Sequence, residues 1–400
     1  MKNLTKNKKT ILISAIALTF ISILFFLGRS HLNTENENVP FFNNNYVDQR
    51  EFYKGIVLEI QSEDIGQEIG DHVEQLMSVS IQSGDRKGEI VTVHNQTVFF
   101  EDGFYLFREN DKVILMNYKD FSGEEKFYIS EYDRSGGIFF IVIFFLITIL
   151  YFGRMRGFGA ILGLSFSFLV LFFYMVPSIV AGANIMHVTL LGAFLMSSVS
   201  LFLAHGINKR IAIVWLSTIT TLSISITLSF TFVRIAGLFG RGSDLLGFHM
   251  FTDYSYINLR ELLLAGIIIG VLGVLSDITS TQTAVIWELK KADPNLQLKD
   301  LYSKSLNVGR QHIASSVNTL VLVYAGVSFP LFIAIKTGTW FPLWVIINSE
   351  PIAEEIVRIV IGTSSLILAV PISSIIASYL IGRIKEEDIK NWDNGNKFLN

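Results

Sequence analysis

A carboxylate, an amide and several hydroxyls interrupt an otherwise apolar stretch at Asp277, Thr279, Ser280, Thr281, Gln282 and Thr283. A second polar set, Arg310, Gln311, His312, Ser315, Ser316, Asn318 and Thr319, opens the next apolar stretch. Groups of these types relay protons, hold ions or line a path for a small polar solute. A carboxylate in the middle of a bilayer costs about 2.5 to 3.5 kcal/mol by insertion scales, so it is rarely turned to lipid. Gly266, Gly270, Gly273, Asp277 and Thr281 recur every three or four residues and share one helical face. Small residues at that spacing, as in Gly266-Ile-Ile-Ile-Gly270, admit a second helix at close range.

Asp277 follows Glu261 by 16 residues, about 24 Å along a helix, which puts it in the inner half of a bilayer core about 30 Å thick. The next span is expected to start at Arg310, Gln311 and His312, so that Arg310 or His312 pairs with Asp277 while Gln311, Ser315 and Asn318 share a face. Two readings follow for Asp277, Gln282, Arg310, Gln311, His312 and Asn318: bonds that only lock two helices together, or an ion-responsive site on a translocation path. Glu354 and Arg358 stand i, i+4 in the favoured acid-before-base order, next to Glu350 and Glu355. They read as charges at a water boundary or as an outer gate. Pro371, in the last apolar stretch, predicts a kink.

Motifs of soluble catalysts are missing. The chain has no G-x-x-x-x-G-K-[ST], no H-E-x-x-H and no G-x-S-x-G. Its seven histidines are scattered, with none at metal-binding i, i+4 spacing. It has no cysteine, which excludes disulfides, thiolate metal sites and cysteine nucleophiles. An enzyme is therefore not expected, nor a cofactor, a metal or a nucleic-acid partner.

The elements that must carry these residues are membrane helices. Half the chain is hydrophobic, 17% is charged and mean hydropathy is +0.47. The apolar residues fall into eight stretches near the length that a crossing helix needs. These are Ile11 to Leu27, Gly137 to Phe152, Gly157 to Val176, Ile185 to Ala204, Ile211 to Val233, Glu261 to Trp287, His312 to Ile335 and Ile356 to Ile381. The first follows Lys2, Lys6, Lys8 and Lys9 and has no small-x-small cleavage site after it, so it reads as an uncleaved anchor.

Alternate connections hold 17 lysines and arginines on one side against Arg234, Arg241, Arg260 and Lys336 on the other. Basic residues are retained in the cytoplasm, which predicts both termini inside and residues 29–134 outside. The formal net charge of −3 hides this division: residues 29–134 carry 21 acidic and 10 basic side chains. That outer segment begins as an Asn- and Glu-rich tether. It continues as short alternating runs at Gly55 to Ile60, Met77 to Ile81, Glu89 to Val93, Lys112 to Met116 and Lys126 to Ile129, the pattern of a small antiparallel barrel or sandwich.

The expected fold is thus an α-helical integral membrane protein of about eight transmembrane helices, with a small extracytoplasmic β-rich domain between helices 1 and 2. The parts are a tail and anchor helix (1–28), a β-rich domain with its tether (29–134), a bundle of seven helices (135–382) and a cytoplasmic tail (383–400).

Several runs carry a resemblance. They are Gly270-Val-Leu-Gly-Val-Leu-Ser-Asp277, Glu288-Leu289, Leu306-Asn-Val-Gly-Arg310, Asn318-Thr-Leu-Val-Leu-Val-Tyr-Ala-Gly326 and Asn348-Ser-Glu-Pro-Ile-Ala-Glu-Glu-Ile-Val-Arg358. In these the chain resembles the YibE/YibF-like family of bacterial membrane proteins, from about Tyr53 to Gly382. The resemblance implies an anchor helix, an extracytoplasmic segment and a bundle of seven helices in the cell membrane. Many members carry Asp where this chain has Gln311, and Gly-Thr where it has Ser315-Ser316. The leading functional expectation is a permease for a small solute or ion, using the polar faces of helices 6 and 7. The alternative is a non-transporting scaffold or sensor whose outer β module binds a partner or an envelope component, alone or as an oligomer.

Overall fold

The structure, a computed structural model, describes residues 51–65, 72–98, 106–119, 125–206, 208–242, 256–338 and 342–384. The first apolar stretch, Ile11 to Leu27, and the tether lie outside them. The described residues divide into two compact units, with the division falling after Thr148.

The first unit holds five strands: β1 (Glu51–Ile65), β2 (His72–Ile81), β3 (Ile90–Val98), β4 (Lys112–Lys119) and β5 (Glu125–Tyr132). Each of the five expected runs lies on one of them, except that Glu89 precedes β3 by one residue. The sheet has the order β3-β2-β1-β4-β5 and every pair is antiparallel. Its outer strands β3 and β5 approach each other, so the sheet curls into a half-barrel. Alternation decides what fills it, because successive side chains of a strand point to opposite faces. Tyr53, Val57, Met77, Val79, Ile81, Val91, Val93, Val113 and Leu115 point inward and are buried. Gly55 has no room for a side chain, since a Cβ there would stand 2.7 Å from Val79 Cγ1. Gln75 is also fully buried, and it both donates to Phe107 O (3.1 Å) and accepts from Phe107 N (3.0 Å). The strand-like bonding of its amide explains how a polar side chain lies in this core.

Helices make up the rest: α1 (Ser135–Val180), α2 (Ile185–His205), α3 (Lys209–Ile235), α4 (Leu259–Ala292), α5 (Leu298–Val327), α6 (Phe329–Gly338), α7 (Leu343–Asn348) and α8 (Glu350–Gly382). Five of them, α1 to α4 and α8, are long and apolar enough to cross a membrane. The second and third expected spans are both in α1, which breaks at Arg154 (φ 48°) and is π-wound over Leu171–Met175. At the break Gly157 comes so close to Ile149 that a Cβ would collide with its carbonyl. The seventh expected span differs most. Its helix α5 begins at Leu298, well before His312, so Arg310, Gln311 and His312 lie inside the helix and not at its start. Their polarity keeps α5 out of the apolar set, and a count of eight spans does not follow from the described residues. Pro371 lies within α8, which runs from Glu350 to Gly382 as one helix.

In the second unit α4 is the central helix, packed by α3 and α8, while α5 lies against α8. Leu264, Ile267, Ile268, Val271, Leu275 and Ile278 of α4 meet Leu222 of α3 and Ile361, Leu366 and Val370 of α8 in one core.

Candidate functional site

The polar residues expected to form one site face two ways. Gln282 points into the bundle. It is 3% exposed, and its Nε2 donates to Ser305 O on α5 (2.7 Å) and to Ser374 Oγ on α8 (2.8 Å). The amide thus ties three helices at one point. Gly309 makes this junction possible: a Cβ there would collide with Val370 Cγ1 and stand 3.1 Å from Gln282 Oε1. Interhelical hydrogen bonds of this kind average about 0.6 kcal/mol in membranes and reach about 1.7 kcal/mol.

Asp277, Arg310, Gln311, Ser315 and Asn318 are exposed on the flank of the bundle. Gln282 meets Ser305 toward one end of the α4–α5 pair, and Gly270 lies beside the Tyr324 hydroxyl toward the other. The two helices are therefore antiparallel, and the two contacts bracket Asp277 against the stretch of α5 between Ser305 and Tyr324. Among the described residues, however, no ion pair joins Asp277 to Arg310 or His312. His312 is half-buried, and its enclosed Nε2 has no hydrogen-bond partner among the described residues. Among the described residues, no heavy atom lies within 4 Å of where a Cβ would be on Gly266 or Gly273. The small-residue face of α4 that contains Asp277 is thus uncovered along much of its length.

A buried hydroxyl seam was not anticipated. Ser217, Thr221, Ser225 and Ser229 of α3 recur every four residues and are buried. Thr218 Oγ1 lies 2.6 Å from Thr279 Oγ1 of α4, and α8 adds Ser365, Ser373, Ser374 and Ser378. Several of these hydroxyls return a bond to the carbonyl four residues earlier, as at Thr221, Ser225 and Ser229. The four-residue spacing on α3 was the available signal. Small side chains there let backbones approach closely.

At the end of the bundle where α4 and α8 begin, two carboxylates hold the segment after α3. Glu350 Oε1 accepts from Phe239 N (2.6 Å) and Arg241 N (3.2 Å), and Glu354 Oε1 accepts from Gly242 N (2.8 Å). Glu354 is 4% exposed. Arg358 bonds Glu355 Oε1 (2.6 Å), one residue nearer than the expected Glu354, because Glu354 is turned to the loop. Arg260 adds a bond to Leu238 O (2.7 Å) and covers the Phe239 ring. These contacts fasten a loop to two helix starts. Among the described residues, no three side chains of His, Asp or Glu gather to hold a metal ion.

Against known protein families, the one described as YibE/F-like protein matches over residues 140–383. The match covers more than half of the chain and includes the whole α4–α5–α8 junction. No curated protein and no solved structure matches.

Proposed function

The chain belongs to the YibE/F-like family, and from that premise we propose that it is a multi-pass plasma-membrane protein that works as an assembly subunit, docking another membrane helix on the open face of α4 and α5. One observation carries this reading. Of the six residues expected to form one site, the buried one, Gln282, is consumed by Ser305 and Ser374, while Asp277, Gln311 and Asn318 point out of the bundle. An outward carboxylate in a membrane-crossing helix is costly against lipid. The open glycines Gly266 and Gly273 offer a partner helix close approach beside it. Chemistry on a substrate plays no part in the reading. Both termini lie in the cytoplasm and the β unit outside, in keeping with basic residues at Arg154, Arg156, Lys209, Arg210, Lys290 and Lys291.

The exposure of Asp277 also supports a permease reading, in which water and a small solute run along the same face. Thiol labelling separates the two, because the chain has no cysteine of its own. Gly273→Cys and Asn318→Cys are treated with a water-soluble maleimide in intact cells and in inverted vesicles. A docked helix keeps both thiols slow to react from either side. Rapid labelling of both, together with solute flux that Asp277→Asn abolishes, would establish the permease and displace the assembly role.

A further inference from the structure

One end of the half-barrel gathers oxygen atoms and negative charge, with no cation paired to Glu51 or Asp85 among the described residues. Glu51 opens β1, the β2–β3 turn brings Asp85, and Asn117 lies near the end of β4. The phenol of Tyr53 connects the two acids: its OH is 2.6 Å from Glu51 Oε2 and 3.2 Å from Asp85 Oδ1. A phenol has one hydrogen, so only one carboxylate receives it at a time, and the pair keeps two negative charges about one hydroxyl. Packing enforces this closeness. Gly84, with φ +78°, sets the turn on the Tyr53 ring so tightly that a Cβ would stand 2.8 Å from Cε1.

The nearby cation is already engaged. Arg86 lies over the Phe127 ring and is held by Glu89 through Nε (2.7 Å) and Nη2 (2.9 Å), and by Glu125 through Nη1 (2.7 Å). Among the described residues Glu51 and Asp85 make no ion pair.

Asn117 provides the independent observation. It is the cross-strand partner of Glu51 and has the same alternation as the inward Val113 and Leu115, so both side chains start from neighbouring positions on the inner face of the barrel end. It is 5% exposed, yet its Oδ1 is buried and has no hydrogen-bond partner among the described residues. A buried acceptor in this state is free to take a bond from a cation or a water.

We propose that Glu51, Asp85 and Asn117 form a calcium site, with the two carboxylates and Asn117 Oδ1 as ligands and water completing the shell. Hard oxygen donors without His or Cys select a hard cation, and Ca²⁺ tolerates the irregular geometry that Mg²⁺ does not. Two acidic ligands on a water-exposed rim correspond to the weak class of site, with Kd about 0.1 to 1 mM. Bound Ca²⁺ links β1, the β2–β3 turn and β4. It requires neither the assembly role nor the permease role of the helical unit.

The test uses the full-length protein in detergent after chelation, titrated with Ca²⁺ and with Tb³⁺ excited through tyrosine. Saturable Ca²⁺ binding is expected in the range above, with Tb³⁺ emission that Ca²⁺ displaces. Glu51→Gln and Asp85→Asn each weaken Ca²⁺ binding tenfold or more. Tyr53→Phe keeps Ca²⁺ binding but loses Tb³⁺ emission. Asn117→Leu removes the orphaned acceptor, so it melts at or above the wild-type temperature without Ca²⁺ and gains nothing when Ca²⁺ is added. The proposal is overturned by a wild type with no saturable response, by folded Glu51→Gln and Asp85→Asn proteins that bind like wild type, or by an Asn117→Leu protein that keeps the full calcium response.

Discussion

Replacing Gln282 by Met tests whether the inward amide is a clamp. The two side chains are similar in length, so the change removes two donated bonds while leaving the volume of the junction nearly unchanged. Ser374 keeps a partner, since its Oγ also donates to Val370 O at 2.7 Å. The loss is therefore that of two interhelical bonds, about 1 kcal/mol at their average and about 3 kcal/mol at the upper end. Ser374→Ala removes one of the two, so a cycle with Gln282→Met should show a coupling of about 0.6 to 1.7 kcal/mol. The assay is unfolding in mixed micelles of rising SDS fraction, followed by tryptophan emission; Trp287 lies on the same helix. Gln282→Ala should cost more, because it also leaves a void. Unchanged stability in Gln282→Met, or strict additivity in the cycle, would refute the clamp and return Gln282 to the candidates for a solute path.

Three further outcomes are expected. Gly309→Ala forces a methyl against Val370 Cγ1 and should lower stability by about 1 to 3 kcal/mol, whereas Gly273→Ala, with open space above it, should leave the stability of the isolated chain unchanged in the same SDS assay. Gly84→Ala must hold φ +78°, which costs about 1 to 2 kcal/mol, and thermal unfolding of the β unit by circular dichroism should reveal it. Asp133 contributes a pH dependence of its own. Its bonds from Ser135, and then from Lys54 at 3.2 Å, hold its carboxyl down at about 2, below the usual 3.8. A depressed carboxylate contributes stability above its unfolded pKa and loses it as pH falls through the folded one. The melting difference between wild type and Asp133→Asn should thus be constant above about pH 5 and vanish between about pH 4 and pH 2. A difference that persists at pH 2 would contradict the assignment.

The β unit was legible because each strand alternates: Val113 and Leu115, or Val91 and Val93, announce a buried face at every second position. The long apolar helices were equally plain. What the sequence hid was direction around each helix. Asp277 and Gln282 look like one polar patch along the chain, yet five residues at about 100° each place them about 140° apart. One therefore faces the flank while the other meets Ser305 and Ser374. Gln311, Ser315 and Asn318 do share a face, as their spacing implies, and that face is exposed. The start of α5 was obscured because Leu298 to Gly309 is too polar for a hydropathy signal although it is helical. The hydroxyl seam of α3 escaped for a related reason. Ser and Thr that bond their own helix look almost neutral in hydropathy, and only the four-residue spacing of Ser217, Thr221, Ser225 and Ser229 marks them. The loop held by Glu350 and Glu354 joins residues more than a hundred positions apart, which no local pattern could announce.

The central claim is that the open face of α4 and α5 receives another membrane helix. Cysteine cross-linking in native membranes tests it most directly, with Gly273→Cys and Asn318→Cys on the open face and Ser374→Cys, fully buried at the junction, as the control. A short membrane-permeable reagent with a maleimide at one end and a photoreactive group at the other should join the two open-face variants to the docked helix, giving a product of one definite higher mass, and leave the control unchanged. If both open-face thiols stay monomeric while reacting freely with a water-soluble maleimide, nothing is docked there and the assembly role is wrong.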